Sequence, residues 1–128
     1  MNVLPDTHVL LRAAFEPSRL SAAAVETLEH PDNALHFSPV SLWEIVIKNA
    51  LGRPDFAVDA ALLRRGLLEN GYEELPVDGR HALAVGRLPP LHRDPFDRLL
   101  LAQATVEGFA LLTSDEALAG YGAPVHAV

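Results

Sequence analysis

The chain has no cysteine, a single lysine, one methionine and one tryptophan among 128 residues. Without cysteine there is no disulfide framework, no thiol nucleophile and no zinc-thiolate site. No apolar run approaches the roughly 18–20 residues of a membrane-spanning helix, so no membrane partner is expected. The first residues, Met1-Asn2-Val3-Leu4-Pro5-Asp6, lack the basic start and long apolar stretch of a signal peptide. Together these absences make the cytoplasm the expected compartment. There is no glycine-rich phosphate loop, no G-x-S-x-G elbow and no His pair at helical spacing with a Glu between.

Apolar residues at 49% and charged residues at 21% fit a globular domain, and the length fits one domain spanning 1–128. The net charge of −7 argues against nucleic-acid binding by surface charge alone. It leaves open a site where acids hold metal ions that in turn hold phosphate. Nine of the ten basic residues are Arg, a skew that base composition explains as well as phosphate binding does.

Short apolar strands alternate with helical segments. Strands are expected at Val3-Leu4 ending on Asp6, at Leu35–Phe37, within Tyr72–Val77, at Phe109–Thr113 and at Val125–Val128. Helices are expected from Thr7 to Phe15, Ala22 to Glu29, behind Ser38-Pro39 to Gly52, from Asp59 to Gly71, from Asp78 to about Leu88, from Pro95 to Gly108, and briefly after Asp115. Val25 and Leu28 are placed on the inward side of the second helix, and Phe37 and Trp43 in the core. Continuous apolar strands separated by helices mean a parallel sheet covered on both faces.

In such sheets ligands bind beyond the carboxyl ends of the strands. Asp6 ends the first strand and Asp115 follows the Phe109–Thr113 strand. Glu44 lies early in the helix after the second strand, and Asp97 lies in the first turn of the helix that Asp94-Pro95 opens. Each has a plainer explanation. Asp6 and Asp115 are plausible N-caps, Asp97 sits well on a helix dipole, and Glu44 three residues after Ser41 fits a capping box. Asp94 is assigned to capping. Four acids converging is harder to explain by capping, because clustered carboxylates repel unless protons or cations neutralise them. Oxygen ligands favour Mg²⁺ or Mn²⁺, which serve phosphoryl transfer; a nuclease or a phosphatase would use that chemistry. His8 and His92 fall near the acids, as supports or phosphate contacts.

Four blocks of the sequence resemble the PIN-domain ribonucleases, in the VapC toxin branch of the VapBC toxin–antitoxin pairs. They are Asp6-Thr7-His8-Val9-Leu10-Leu11, Ser38-Pro39-Val40-Ser41-Leu42-Trp43-Glu44-Ile45, Leu88 through Ala104, and Leu112-Thr113-Ser114-Asp115. The third, with His92-Arg93-Asp94-Pro95-Phe96-Asp97-Arg98, is the most specific. The resemblance implies a PIN-like α/β/α sandwich around a mainly parallel sheet and Mg²⁺- or Mn²⁺-dependent RNA cleavage. By position, Asp6, Glu44, Asp97 and Asp115 match the family's acids; Asp6 and Asp97 would hold metal most directly, with Glu44 and Asp115 completing the shell or orienting water. It also implies a homodimer, a VapB-like antitoxin as inhibitor, and DNA contact only through that antitoxin. Two positions depart from the pattern. Pro5 is unusual in a central strand and is expected to shorten it or shift Asp6. Arg12 stands where this branch often has Trp, a change expected to act on packing or the antitoxin face. Pro5 keeps open a non-catalytic binding module on the same scaffold.

Overall fold

The computed structural model describes residues 1–128. Five parallel strands form one sheet: β1 (Asn2–Pro5), β2 (Ala34–Phe37), β3 (Glu73–Glu74), β4 (Ala110–Thr113) and β5 (Val125–Ala127), in spatial order β3-β2-β1-β4-β5. Seven helices connect them: α1 (Thr7–Phe15), α2 (Ala22–Glu29), α3 (Pro39–Ala50), α4 (Ala60–Glu69), α5 (Gly79–Val85), α6 (Pro95–Glu107) and α7 (Glu116–Ala119). The strand order reverses at β1, which pairs with β2 on one side and β4 on the other. That switch point is where a doubly wound sheet opens a crevice.

Alternation along the buried strands divides the core. Val3 and Leu112 face Val9, with Leu20 and Leu28 packed around them, whereas Leu4 and Leu111 face Leu100, Leu101, Ala104 and Leu118 of α6 and α7. A further cluster of Leu10, Phe37, Ile45, Leu63 and Leu67 ties α1, α3 and α4 to the end of β2. The sheet is therefore covered on both faces by helices, the expected sandwich.

Several expectations are corrected. Within Tyr72–Val77 the edge strand is only Glu73–Glu74, followed by one more bond to β2, from the Leu75 amide to the Phe37 carbonyl at 2.8 Å, before Pro76. The helix behind Asp78 stops at Val85 instead of near Leu88, and the Val85 carbonyl is taken by the Arg98 guanidinium at 3.2 Å. In α2 the buried residues are Ala24 and Thr27, while Val25 and Leu28 are only half-buried. Trp43 is not in the core: it is 57% exposed and meets Phe96 edge-on, ring centroids 5.0 Å apart. The inner face of α3 is taken by Val40, Ser41, Glu44 and Ile45, which leaves Trp43 on the outside.

Pro5 does not displace the strand. Successive amides in a strand point to opposite neighbours, and the Asp6 amide donates to the Leu112 carbonyl of β4 at 2.9 Å. The Pro5 nitrogen therefore faces β2, where the register has already ended at Val3 opposite Leu35. The missing donor falls where no ladder bond is needed.

Candidate active site

Local chemistry at the strand ends sets up the site. Asp6 leaves β1 in extended conformation and caps α1, its Oδ1 accepting from the Val9 amide at 2.9 Å. Its Oδ2 accepts from the Thr113 hydroxyl at the end of β4. The Thr113 oxygen in turn accepts from the Asp115 amide at 3.0 Å, and Asp115 caps α7 through Ala117. One threonine thus links the carboxyl ends of neighbouring strands. Asp6 and Asp115 each cap a helix and meet at the Thr113 hydroxyl.

Asp94 caps α6, accepting from the Phe96 and Asp97 amides at 2.9 and 3.2 Å. This leaves the Asp97 side chain free in the first turn, 6% exposed, where His92 Nε2 lies 2.8 Å from its Oδ2. The same nitrogen is 3.6 Å from Asp115 Oδ2. Glu44 is not part of a capping box. Ser38 is the N-cap of α3, and Ser41 lies inside the helix, its hydroxyl accepting from Thr7 at 2.9 Å. Glu44 is instead 1% exposed, with Lys48 Nζ 2.7 Å from Oε2 and no hydrogen-bond partner on Oε1.

The four acids share one electrostatic environment. Burial pushes Asp97 up to about 6; the His92 hydrogen bond opposes this, and the charges of Asp94, Asp6 and Glu44 add to it. Burial also raises Asp6, against hydrogen bonds from Thr113 and the Val9 amide and the nearby His8; the Asp115 charge adds to the rise. Asp6 and Asp97, both raised by burial and by neighbouring carboxylates, are poised to take a proton or a metal ion.

The residues fit a divalent cation. The donors are carboxylate oxygens with one imidazole, and the buried Glu44 Oε1 lacks any partner. A hard ion with mixed oxygen ligands suits such a set. The atoms already close enough to share one ion belong to His92, Asp97 and Asp115, all within 4.8 Å of one another. Asp6 and Glu44 lie outside that trio, and the charge of each acts on Asp97.

Sequence reasoning passed over two residues here. Lys48 enters the sequence reading only as the sole lysine, although a Glu four residues before a Lys on one helix is a readable ion-pair signal. Thr113 enters as a strand residue and within the Leu112–Asp115 block, and nothing local marks its hydroxyl as the bridge between Asp6 and Asp115. Arg12 donates to the Ser114 hydroxyl at 3.3 Å and has no carboxylate partner. It lines a groove of about 560 Å³ beside the site, together with His8, Leu11, Phe15, Phe56 and Leu62.

Comparison with known proteins shows the family and the fold. The PIN domain family model matches residues 3–123. The chain is 31% identical to Ribonuclease VapC22 of Mycobacterium tuberculosis, over 95% of this chain and 93% of that protein. Its fold is similar to a chain of VapBC2 from Rickettsia felis bound to a promoter DNA fragment, with a TM-score of 0.72 at 13% identity, covering 100% of this chain and 99% of that one. It is also similar to VapBC-5 of Mycobacterium tuberculosis, with a TM-score of 0.59 at 23% identity, covering 99% and 97%. The chain belongs to the PIN-domain family, in its VapC branch.

Proposed function

We propose that this chain is the toxin of a toxin–antitoxin pair, a Mg²⁺- or Mn²⁺-dependent endoribonuclease that hydrolyses RNA phosphodiester bonds in the cytoplasm. The observation that carries the reading is the convergence of Asp6, Glu44, Asp97 and Asp115, from four separate elements, at the switch point of the sheet. A bound divalent ion would lower the pKa of a water molecule and offset charge developing on the phosphate. Asp6 and Asp97 are the ligands of the reading, with Asp115 and Glu44 completing the shell or orienting water. Thr113 fixes the rotamer of Asp6, and Lys48 balances the charge of Glu44. Pro5, the feature that favoured a non-catalytic module, leaves Asp6 anchored to β4, so that reading loses its support.

The partners follow from the same family membership. A VapB-like antitoxin would inhibit the enzyme and carry any DNA contact, and the enzyme would act as a homodimer. The 1–128 chain would serve as a single catalytic domain.

The test is cleavage of single-stranded RNA by purified protein with Mn²⁺ or Mg²⁺. Chelation with EDTA, Asp6→Ala and Asp97→Asn should each lower the rate by 100-fold or more, since one electrostatic contribution of this kind is worth about that factor. Cleavage that persists equally in Asp6→Ala would be contamination and would contradict the proposal.

A further inference from the structure

The acids differ in what already partners them. Asp6 has both oxygens engaged by the Val9 amide and the Thr113 hydroxyl, and Glu44 carries Lys48 on Oε2. Asp115 uses Oδ1 for its helix cap, leaving Oδ2 directed towards His92 at 3.6 Å. Asp97 Oδ2 meets only His92 Nε2, at 2.8 Å. Two ligands at right angles around an ion about 2.1 Å away stand about 3 Å apart. His92 Nε2 stands 2.8 Å from Asp97 Oδ2 and 3.6 Å from Asp115 Oδ2, and the three donor atoms lie within 4.8 Å of one another.

The fold also holds His92 in place by its backbone. Its amide donates to the Tyr121 hydroxyl at 3.1 Å, and that hydroxyl donates to the Pro89 carbonyl at 2.9 Å. Its carbonyl accepts from Arg98 Nη1 at 3.2 Å, while Arg98 Nη2 reaches the Val85 carbonyl. The segment between α5 and α6 is thus pinned by Arg98 of α6 and by Tyr121 in the turn after α7, at the residue that faces two carboxylates. Glu44 Oε1 is buried and unpartnered even though Lys48 engages Oε2, and its charge acts on Asp97, an independent sign that a cation fits here.

We propose that His92 is a direct ligand of the divalent ion, through Nε2, alongside Asp97 and Asp115. The inference rests on the metal-dependent reading above and adds a nitrogen donor to its oxygen set. Nε2 then presents its lone pair with the ring proton on Nδ1. A nitrogen donor favours Mn²⁺ and later first-row ions over Mg²⁺, which prefers oxygen.

The test is electron spin echo spectroscopy of the whole chain loaded with Mn²⁺, with natural and ¹⁵N-labelled histidine. Coupling to one directly bound imidazole nitrogen is expected in the wild type and in His8→Gln. It should vanish in His92→Gln, whose Mn²⁺ dissociation constant should rise at least about ten-fold, as even supporting residues around a metal cost that much. Mn²⁺ bound by the wild type without nitrogen coupling overturns the proposal and makes His92 a positioning residue for Asp97. Unchanged Mn²⁺ affinity in a folded His92→Gln overturns it too. The wild-type spectrum decides the matter even if the variant does not fold. A wild type that takes up no Mn²⁺ at all overturns this proposal together with the metal-dependent reading, a result distinct from metal bound without nitrogen.

Discussion

Asp97 and Glu44 are both buried acids, and the chain treats them differently. Glu44 has Lys48 at 2.7 Å, a partner that remains 31% exposed and so keeps part of its hydration. Lys48→Met should leave an uncompensated buried carboxylate and destabilise the fold by about 2–3 kcal/mol, somewhat less than for a fully buried pair. Adding Glu44→Gln should restore most of that loss, and chemical denaturation of the double-mutant cycle measures it. Asp97 has no cation, and burial raises it from 3.8 to about 6. The folded chain therefore holds this proton more tightly than the unfolded chain does. Stability then falls as pH rises from about 4 through 6, and the deficit is complete above that window. Without divalent ions, Asp97→Asn should gain on the wild type by on the order of 1–2 kcal/mol between pH 4 and 7.5, a figure discounted for solvent screening. Parallel pH–stability curves for the two proteins would refute the account of Asp97.

Local rules decided most of the elements. Each of the seven α-helices has an Asp or Ser N-cap: Asp6, Ser21, Ser38, Asp59, Asp78, Asp94 and Asp115. Capping is written in neighbouring residues, so the starts at Thr7, Ala22 and Pro95 were legible, as was the end of α6 at Gly108, which adopts φ 71°. What was not legible depends on partners distant in sequence. Leu42, Trp43, Ile45, Val46 and Ile47 put apolar residues on several sides of α3, so the sequence alone does not say that Trp43 faces outward. The Ser41–Glu44 spacing imitates a capping box that Ser38 has already pre-empted. Gln103 is a further long-range case, fully buried in α6, accepting from the Ser38 hydroxyl and donating to the Leu75 and Pro76 carbonyls at 3.3 and 3.4 Å. It joins the start of α3 to the segment after β3. Gln103→Leu should destabilise by about 2–3 kcal/mol, because it strands buried polar groups while keeping volume, and urea unfolding would read it. Tyr121→Phe should cost about 1 kcal/mol by the same measurement, since it removes a shared hydroxyl that ties the turn after α7 to the Pro89–His92 segment.

At the scale of the whole molecule, the charge of −7 and the parallel topology are connected through the site. Four acids that lie far apart in sequence, and that cap helices or pair with lysine when viewed singly, are gathered at one end of the sheet by the order β3-β2-β1-β4-β5. The sequence showed the convergence through the strand-end rule, and the blocks around Asp6, Glu44, Asp97 and Asp115 showed the family. It did not show that His92 Nε2 stands between two of the acids, because loop geometry set by Arg98 and Tyr121 decides that. The gathered charge costs stability until a cation relieves it, so metal should act as a folding ligand. The decisive measurement is thermal unfolding of the wild type and of Asp97→Asn at pH 7.5, titrated with Mn²⁺ and Mg²⁺. The account predicts that either ion stabilises the wild type, by about 2.7 kcal/mol at 100 times its dissociation constant, and that Asp97→Asn responds only at far higher concentration. A wild type whose melting neither ion moves, or a variant that responds over the same metal concentrations as the wild type, would contradict it.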